Sequence, residues 1–189
     1  VSFSLKELQK THDVAVRWRA FELRPAGSPP IPPEYLARIE AARPRFAQMM
    51  RDDHAIEVKP GPFGLSTRRA LIAAKVAEAH GPEIGQAMHQ ALLGAYWIES
   101  RDIEDETVLA ELAEGAGIDR DAFLADLSDP KFEIAVDADI QQAHHYGLNG
   151  VPALVFENRY LISGTQPAAV LREAVDRLQA ELDKRAAEG

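Results

Sequence analysis

Hydrophobic and polar residues alternate with different periods along this chain, and the change of period divides it into parts. Over residues 14–23 apolar side chains recur at close to every second position, which predicts a strand. Over residues 34–147 they recur at helical spacing, which predicts a series of amphipathic helices. Two short apolar runs follow, at 153–156 and 160–162. Because Asn158 between them tolerates a positive φ, we expect a tight β-hairpin there.

Start and stop signals place the helices more closely. Ser4 and Glu7 have the spacing of a capping box, so a first helix is expected from Ser4 to about Thr11, with Leu5 and Leu8 on its buried side. A proline at 44 is expected to kink or split the helix over 34–51. A last amphipathic helix is predicted over 167–187. The other expected helix starts follow capping residues, which are Ser66 or Thr67, Asp105, Asp119 and Asp129.

Prolines mark the clearest boundary in the chain. Residues 24–33 contain five prolines, and proline and the residue before it both resist the helical conformation, so we expect an extended connector. A loop is expected at 59–64, where two prolines and two glycines fall together.

The segment Gly150-Val151-Pro152 leads into the first strand of the predicted hairpin. Pro152 directly precedes the predicted strand 153–156, one of the few positions at which a proline without an N–H can join a sheet. The peptide bond before Pro152 can be cis or trans. An ordinary trans proline at the start of an edge strand explains the same residues, so the sequence leaves the isomer open.

Composition excludes several classes of protein. The 189 residues carry a net charge of −9 without a basic cluster, which argues against a nucleic-acid surface. No run of apolar residues is long enough for a membrane span, and no secretory signal is visible, so we expect a cytoplasmic protein. There is no cysteine, and the six histidines form no HxxxH pair, so no metal site is expected.

The N-terminal pattern of helix then strand lacks a partner for the strand. A helix that leads into a strand is the second half of a βαβ unit, and its first strand is not in the sequence. We therefore expect an N-terminal strand and the loop after it to be missing from this chain, or another segment or subunit to supply the neighbour.

Three stretches together resemble one family. They are Ser66-Thr-Arg-Arg-Ala-Leu-Ile, Ala95-Tyr-Trp-Ile-Glu-Ser-Arg-Asp-Ile, and Gly147-Leu-Asn-Gly-Val-Pro-Ala-Leu-Val-Phe with the Ser163-Gly-Thr-Gln-Pro167 turn that follows. With Trp18-Arg-Ala-Phe-Glu-Leu-Arg-Pro25, they resemble the FrnE type of the DsbA family, thioredoxin-like oxidoreductases related to 2-hydroxychromene-2-carboxylate isomerase and the kappa-class glutathione transferases.

The resemblance implies an α/β thioredoxin-like fold split by a large all-helical insertion. Residues 1–33 and 148–189 would form the thioredoxin-like domain, and residues 34–147 the insertion. Pro152 would be a cis-proline whose loop contacts substrate through Gly150 and Val151.

The implied activity is thiol–disulfide exchange with a protein or small-thiol substrate, without a cofactor. Such enzymes carry a Cys-x-x-Cys at the start of the first helix, where the helix N-terminus lowers the pKa of the attacking thiol. No catalytic residue is visible in this chain, so the pair is expected N-terminal to Val1. A homodimer is left open.

Two alternatives remain. A glutathione-dependent isomerase or kappa-type transferase would share the architecture and would use glutathione. A non-catalytic thioredoxin-like module would use the Val151-Pro152 loop only to bind extended chains.

Overall fold

The computed structural model describes residues 1–25, 27–59 and 64–188, and within this part the chain forms helices and one small sheet. The expected loop at 59–64 lies mostly outside the described residues. The elements in chain order are α1 (Ser2–Gln9), α2 (Pro33–His54), α3 (Arg68–Ala79), α4 (Pro82–Trp97), α5 (Glu106–Gly115), α6 (Arg120–Leu127), α7 (Pro130–His145), β1 (Ala153–Phe156), β2 (Tyr160–Ser163) and α8 (Ala168–Glu188).

The chain divides into two compact units. One comprises residues 1–19 together with the chain from Ala143 onward, and the other comprises residues 20–142. These limits describe which residues pack together. The expected boundaries between the thioredoxin-like domain and the insertion, at 33/34 and 147/148, stay a prediction.

The first unit has a small core between helix and hairpin. Leu5 and Leu8 of α1 are buried with Leu171 of α8, as the spacing of the two α1 leucines predicted. Leu154 of β1 and Ile162 of β2 pack against this cluster. The burial of one face of the hairpin explains why a two-stranded sheet, marginal by itself in water, is held in place.

The second unit is a helical bundle with a larger core. Helix α3 packs against α4, α5 and α6, because its small residues allow close approach of their backbones. Fully buried side chains fill the core between the helices of this unit, among them Val76, Met88, Leu109, Phe123 and, from α7, Val136.

The predicted helix starts at three aspartates are confirmed. The carboxylate of Asp105 accepts a hydrogen bond from the N–H of Thr107, and that of Asp119 accepts one from Ala122. Asp129 accepts from the N–H of Lys131 at 2.9 Å. Each carboxylate satisfies one of the N–H groups that the first turn of a helix leaves unpaired.

The prediction of a capping box with Ser4 at the N-cap is wrong. Helix α1 begins at Ser2 with Val1 in the N-cap position, and no side chain caps it. The N–H of Leu5 already donates to the carbonyl of Val1 at 3.0 Å, so Ser4 lies inside the first turn.

Pro44 does not split its helix. Helix α2 runs without interruption from Pro33 to His54, longer at both ends than the sequence indicated. It ends at Ala55, which adopts the left-handed conformation with φ +55° while its N–H donates to the carbonyl of Arg51.

The predicted strand over residues 14–23 is also wrong. Residues 13–22 belong to no helix or strand, and in the described part of the chain β1 and β2 pair only with each other. The alternation itself is present, since Val14, Val16 and Trp18 are half-buried between exposed neighbours. Alternation decides which side chains face the core, whereas a strand also needs a hydrogen-bonded neighbour.

In the described part of the chain, no helix combines the length and the apolar character that crossing a bilayer requires.

Candidate functional site

The loop between α7 and β1 leaves its helix by a defined turn. Gly147 has φ +70°, a conformation that glycine adopts without strain. Its N–H donates to the carbonyl of His144 at 2.9 Å, and the N–H of Leu148 donates to that of Ala143 at 3.0 Å. This pair of bonds is a Schellman motif, which ends the helix and sets the direction of the loop that follows.

The other end of the loop is held by the hairpin. The peptide bond between Val151 and Pro152 is cis. The carbonyl of Pro152 accepts a hydrogen bond of 2.8 Å from the N–H of Gly164, and the next residue, Ala153, pairs with Ser163 in the antiparallel ladder. The loop is therefore fixed at a helix end and at a sheet, so its central residues have little freedom.

The loop forms one wall of a groove of about 310 Å³. None of the side chains that line it is charged. Val151 is 52% exposed and Leu161 of β2 is 45% exposed, and these two side chains form the apolar surface of the groove together with the half-buried Leu148 and Pro152. The lining residues are Gly147, Leu148, Asn149, Gly150, Val151, Pro152, Leu161, Ser163 and Gly164.

The structure brings the three predicted binding residues, Gly150, Val151 and Pro152, together in this groove. Their role in binding substrate stays a prediction. Sequence reasoning missed the opposite wall, which contains Leu161 and Ser163. The period of two could have shown it, because the exposed Leu161 and Ser163 alternate with the half-buried Tyr160 and Ile162.

The groove offers binding surface without reactive side chains. The chain has no cysteine, and no group of three or more histidine, aspartate or glutamate side chains in the described ranges could hold a metal ion. Asn149, Ser163 and the backbone are its polar groups, so the arrangement suits the capture of a neutral, extended segment.

The start of α1 is the other feature that the sequence singled out. The side chain of Val1 is half-buried and packs against the cluster of Leu5, Leu8 and Leu171.

A buried ion pair in the helical unit was not expected from the sequence. Lys75 of α3 and Asp139 of α7 are both almost fully buried, and Lys75 Nζ lies 2.6 Å from Asp139 Oδ2. The same oxygen accepts the N–H of Ala20 at 2.8 Å, and Lys75 also contacts Glu78 at 2.7 Å. One feature of the sequence could have indicated a buried charge: Lys75 lies in the otherwise apolar run Ala73-Ala74-Lys75-Val76.

Comparison with known proteins decides the family. The model of the DSBA-like thioredoxin domain matches residues 1–176. This chain belongs to that family. The resemblance seen in the sequence, and the thioredoxin-like fold with a helical insertion that it implied, are thereby confirmed.

Solved structures agree with this assignment. A probable DsbA oxidoreductase from Streptomyces coelicolor superposes with a TM-score of 0.79 at 25% sequence identity, covering 95% of this chain and 83% of that one. A 2-hydroxychromene-2-carboxylate isomerase has a TM-score of 0.74 at 22% identity over 95% of this chain and 89% of its own, which shows a shared fold.

A curated relative matches a shorter stretch. The ClpXP adapter protein SpxH of Shouchella clausii is 36% identical over 90 residues, which are 48% of this DsbA-like chain and 30% of the relative. The match thus spans less than a third of that protein's length.

Proposed function

We propose that this DsbA-like chain serves thiol–disulfide exchange, with the groove at Gly150-Val151-Pro152 holding the segment that carries the reacting sulfur. One observation carries the proposal: a loop fixed at both ends presents Val151 beside an uncharged groove, in a chain whose family includes disulfide oxidoreductases. An extended substrate can pair with the backbone of Val151 as a short additional strand.

The chemistry requires a thiol, and these 189 residues contain no cysteine. In the exchange, a thiolate attacks one sulfur of a substrate disulfide, an S–S bond forms between them, and the other substrate sulfur leaves as a thiolate. A second thiol then breaks the mixed disulfide. Both thiols would come from residues outside this sequence, or one from a small thiol such as glutathione.

The role of the loop predicts a backbone effect at Val151. In the full-length gene product, Val151→Pro removes the N–H and should lower kcat/KM for reduction of an insulin disulfide by about tenfold, the equivalent of one lost hydrogen bond. Val151→Ala keeps the backbone donor and is the matched control, expected within about threefold of the wild type. Circular dichroism verifies that both variants fold.

Two results would contradict the proposal. One is a full-length product with a Cys-x-x-Cys that does not exchange disulfides. The other is a Val151→Pro variant that is folded and as active as Val151→Ala. Activity only with glutathione as the second substrate would instead support the glutathione-dependent isomerase or transferase.

A second candidate is a binding module without catalysis. It is favoured by the similarity of about half of this chain to SpxH of Shouchella clausii, an adapter protein for ClpXP. It predicts a full-length product that lacks an active thiol and still binds an extended, uncharged peptide. In that product Val151→Pro should weaken binding of the peptide, and Val151→Ala should not.

A further inference from the structure

Helix α2 has an unusual exposure for its length. All of its 22 residues lie in the described part of the chain, and none of them is buried. A helix that is stable in a protein normally buries an apolar face against a neighbour, because most helical stability comes from that packing. We therefore expect a binding partner to cover the exposed apolar side chains of α2.

Five apolar side chains form the exposed surface, which we call the α2 patch. Phe46 stacks at an angle on Trp97, with ring centroids 5.4 Å apart, and this contact joins α2 to the end of α4. Each member of the patch is between 36% and 52% exposed, and the members are Tyr35, Phe46, Met49, Trp97 and Ile98.

The size of the patch fits an interface with another copy. With about 200 Å² for a large side chain, the five expose roughly 400 Å² together. If about 60% of an interface is apolar, the patch belongs to an interface of roughly 700 Å² on each partner. Two copies would bury roughly 1,300–1,400 Å² in total, within the usual range for a specific protein complex.

Charge also favours a second copy of the same chain. Helix α2 carries four arginines and four carboxylates, so it is neutral within a chain of net charge −9. Two copies that meet at this helix therefore oppose no net charge to each other. An antiparallel pair would bring Arg38 near one end of α2 towards Asp52 near the other end, twice by symmetry, while Arg45 between them would meet its own copy on the two-fold axis. The two pairs of opposite charge outnumber this one pair of like charge.

We propose that the α2 patch docks a second copy of this chain, which gives a two-fold symmetric dimer. This inference does not depend on the proposed function, because it concerns the other compact unit and involves no thiol chemistry. We expect a moderate affinity, with a dissociation constant on the order of 1–10 µM.

Sedimentation equilibrium of the 189-residue chain tests the proposal. The wild type should reach twice its mass of 20.8 kDa at concentrations up to about 200 µM. Met49→Glu should raise the dissociation constant by about 100-fold, since it places a charge beside Phe46 in the apolar patch. Separately, Tyr35→Glu, nearer the end of α2, should raise it by about tenfold. Ile134→Glu is the matched control: Ile134 is 65% exposed on α7, outside the patch, and its substitution should leave the dimer intact.

The outcomes that overturn the proposal are distinct. A wild type that stays monomeric over the whole range excludes a second copy as the occupant of the patch. A dimer that survives both patch substitutions forms through another surface. Circular dichroism of each variant confirms that loss of the dimer is not loss of the fold, and because Tyr35 and Met49 are exposed, both variants should pass this control.

Discussion

Individual residues show how burial changes the chemistry of a side chain in this fold. Lys75 and Asp139 are charged groups inside the helical unit, each contacting the other and further partners. A buried charge that loses its partner is costly, by several kcal/mol, so the two positions depend on each other. No local pattern in the sequence predicts that Lys75 contacts Asp139, because the two residues meet only when α3 and α7 pack together.

His89 on α4 predicts a dependence of stability on pH. Burial lowers its pKa from 6.5 to about 4, so the folded protein holds this imidazole neutral while the unfolded chain protonates it. The stabilisation is present above pH 6.5 and is lost as the pH falls towards 4. Allowing for partial exposure, the His89 contribution should be on the order of 1–2 kcal/mol.

Urea unfolding at pH 7 and pH 4.5 measures this contribution. In the wild type the free energy of unfolding should fall more between the two pH values than in His89→Gln, which cannot take up the proton. Equal decreases in the two proteins would show that His89 does not titrate differently in the folded state.

Several helices and the hairpin of this protein end or turn at residues with positive φ. Helix α7 ends with Gly147 in this conformation, and α5 is followed by Gly117 with φ +98°. The hairpin turn uses Glu157 and Asn158 at φ +49° and +55°, and the N–H of Arg159 closes it on the carbonyl of Phe156 at 2.9 Å. Two such residues in succession match the twist of the strands, as in a type I′ turn.

Glu157 is the strained member of the turn and predicts a stabilising substitution. A glutamate with positive φ is unfavourable by about 1 kcal/mol, and glycine is not. Glu157→Gly should therefore raise the free energy of unfolding by roughly 0.5–1 kcal/mol. Arg159→Gly is the matched control, because residue 159 is not among those with positive φ, and glycine there should destabilise. If both substitutions destabilise equally, the turn has another conformation.

The whole molecule carries a net charge of −9, which bears on the proposed dimer. Two copies repel each other at a distance even when they meet through a neutral helix. Salt screens this repulsion, since the Debye length falls from about 10 Å at 0.1 M to about 3 Å at 1 M ionic strength. The dissociation constant of the dimer should therefore fall several-fold between these salt concentrations.

A control for this salt effect uses pH. Near pH 5.5, close to the isoelectric point of about 5.2, the repulsion is small and salt should change the dissociation constant little. A dimer that dissociates as salt is raised would instead be held mainly by ion pairs.

The sequence by itself determined the features that depend on neighbouring residues. The helix starts at Asp105, Asp119 and Asp129 and the hairpin around Asn158 were predictable, because a cap or a turn is formed by residues within a few positions of each other. Gly150, Val151 and Pro152 could be singled out for the same reason, since the proline lies at the start of a recognisable strand.

Only the tertiary structure decided what depends on distant partners. Residues 14–18 alternate as a strand does, yet hydrogen-bonded pairing requires a second segment, which a local pattern cannot show. The opposite wall of the groove at Leu161, the exposed face of α2 and the pairing of Lys75 with Asp139 likewise follow from which elements pack together. Periodicity predicts which side chains of an element are buried and which are exposed. Only the packing of the elements determines which residues the buried side chains contact.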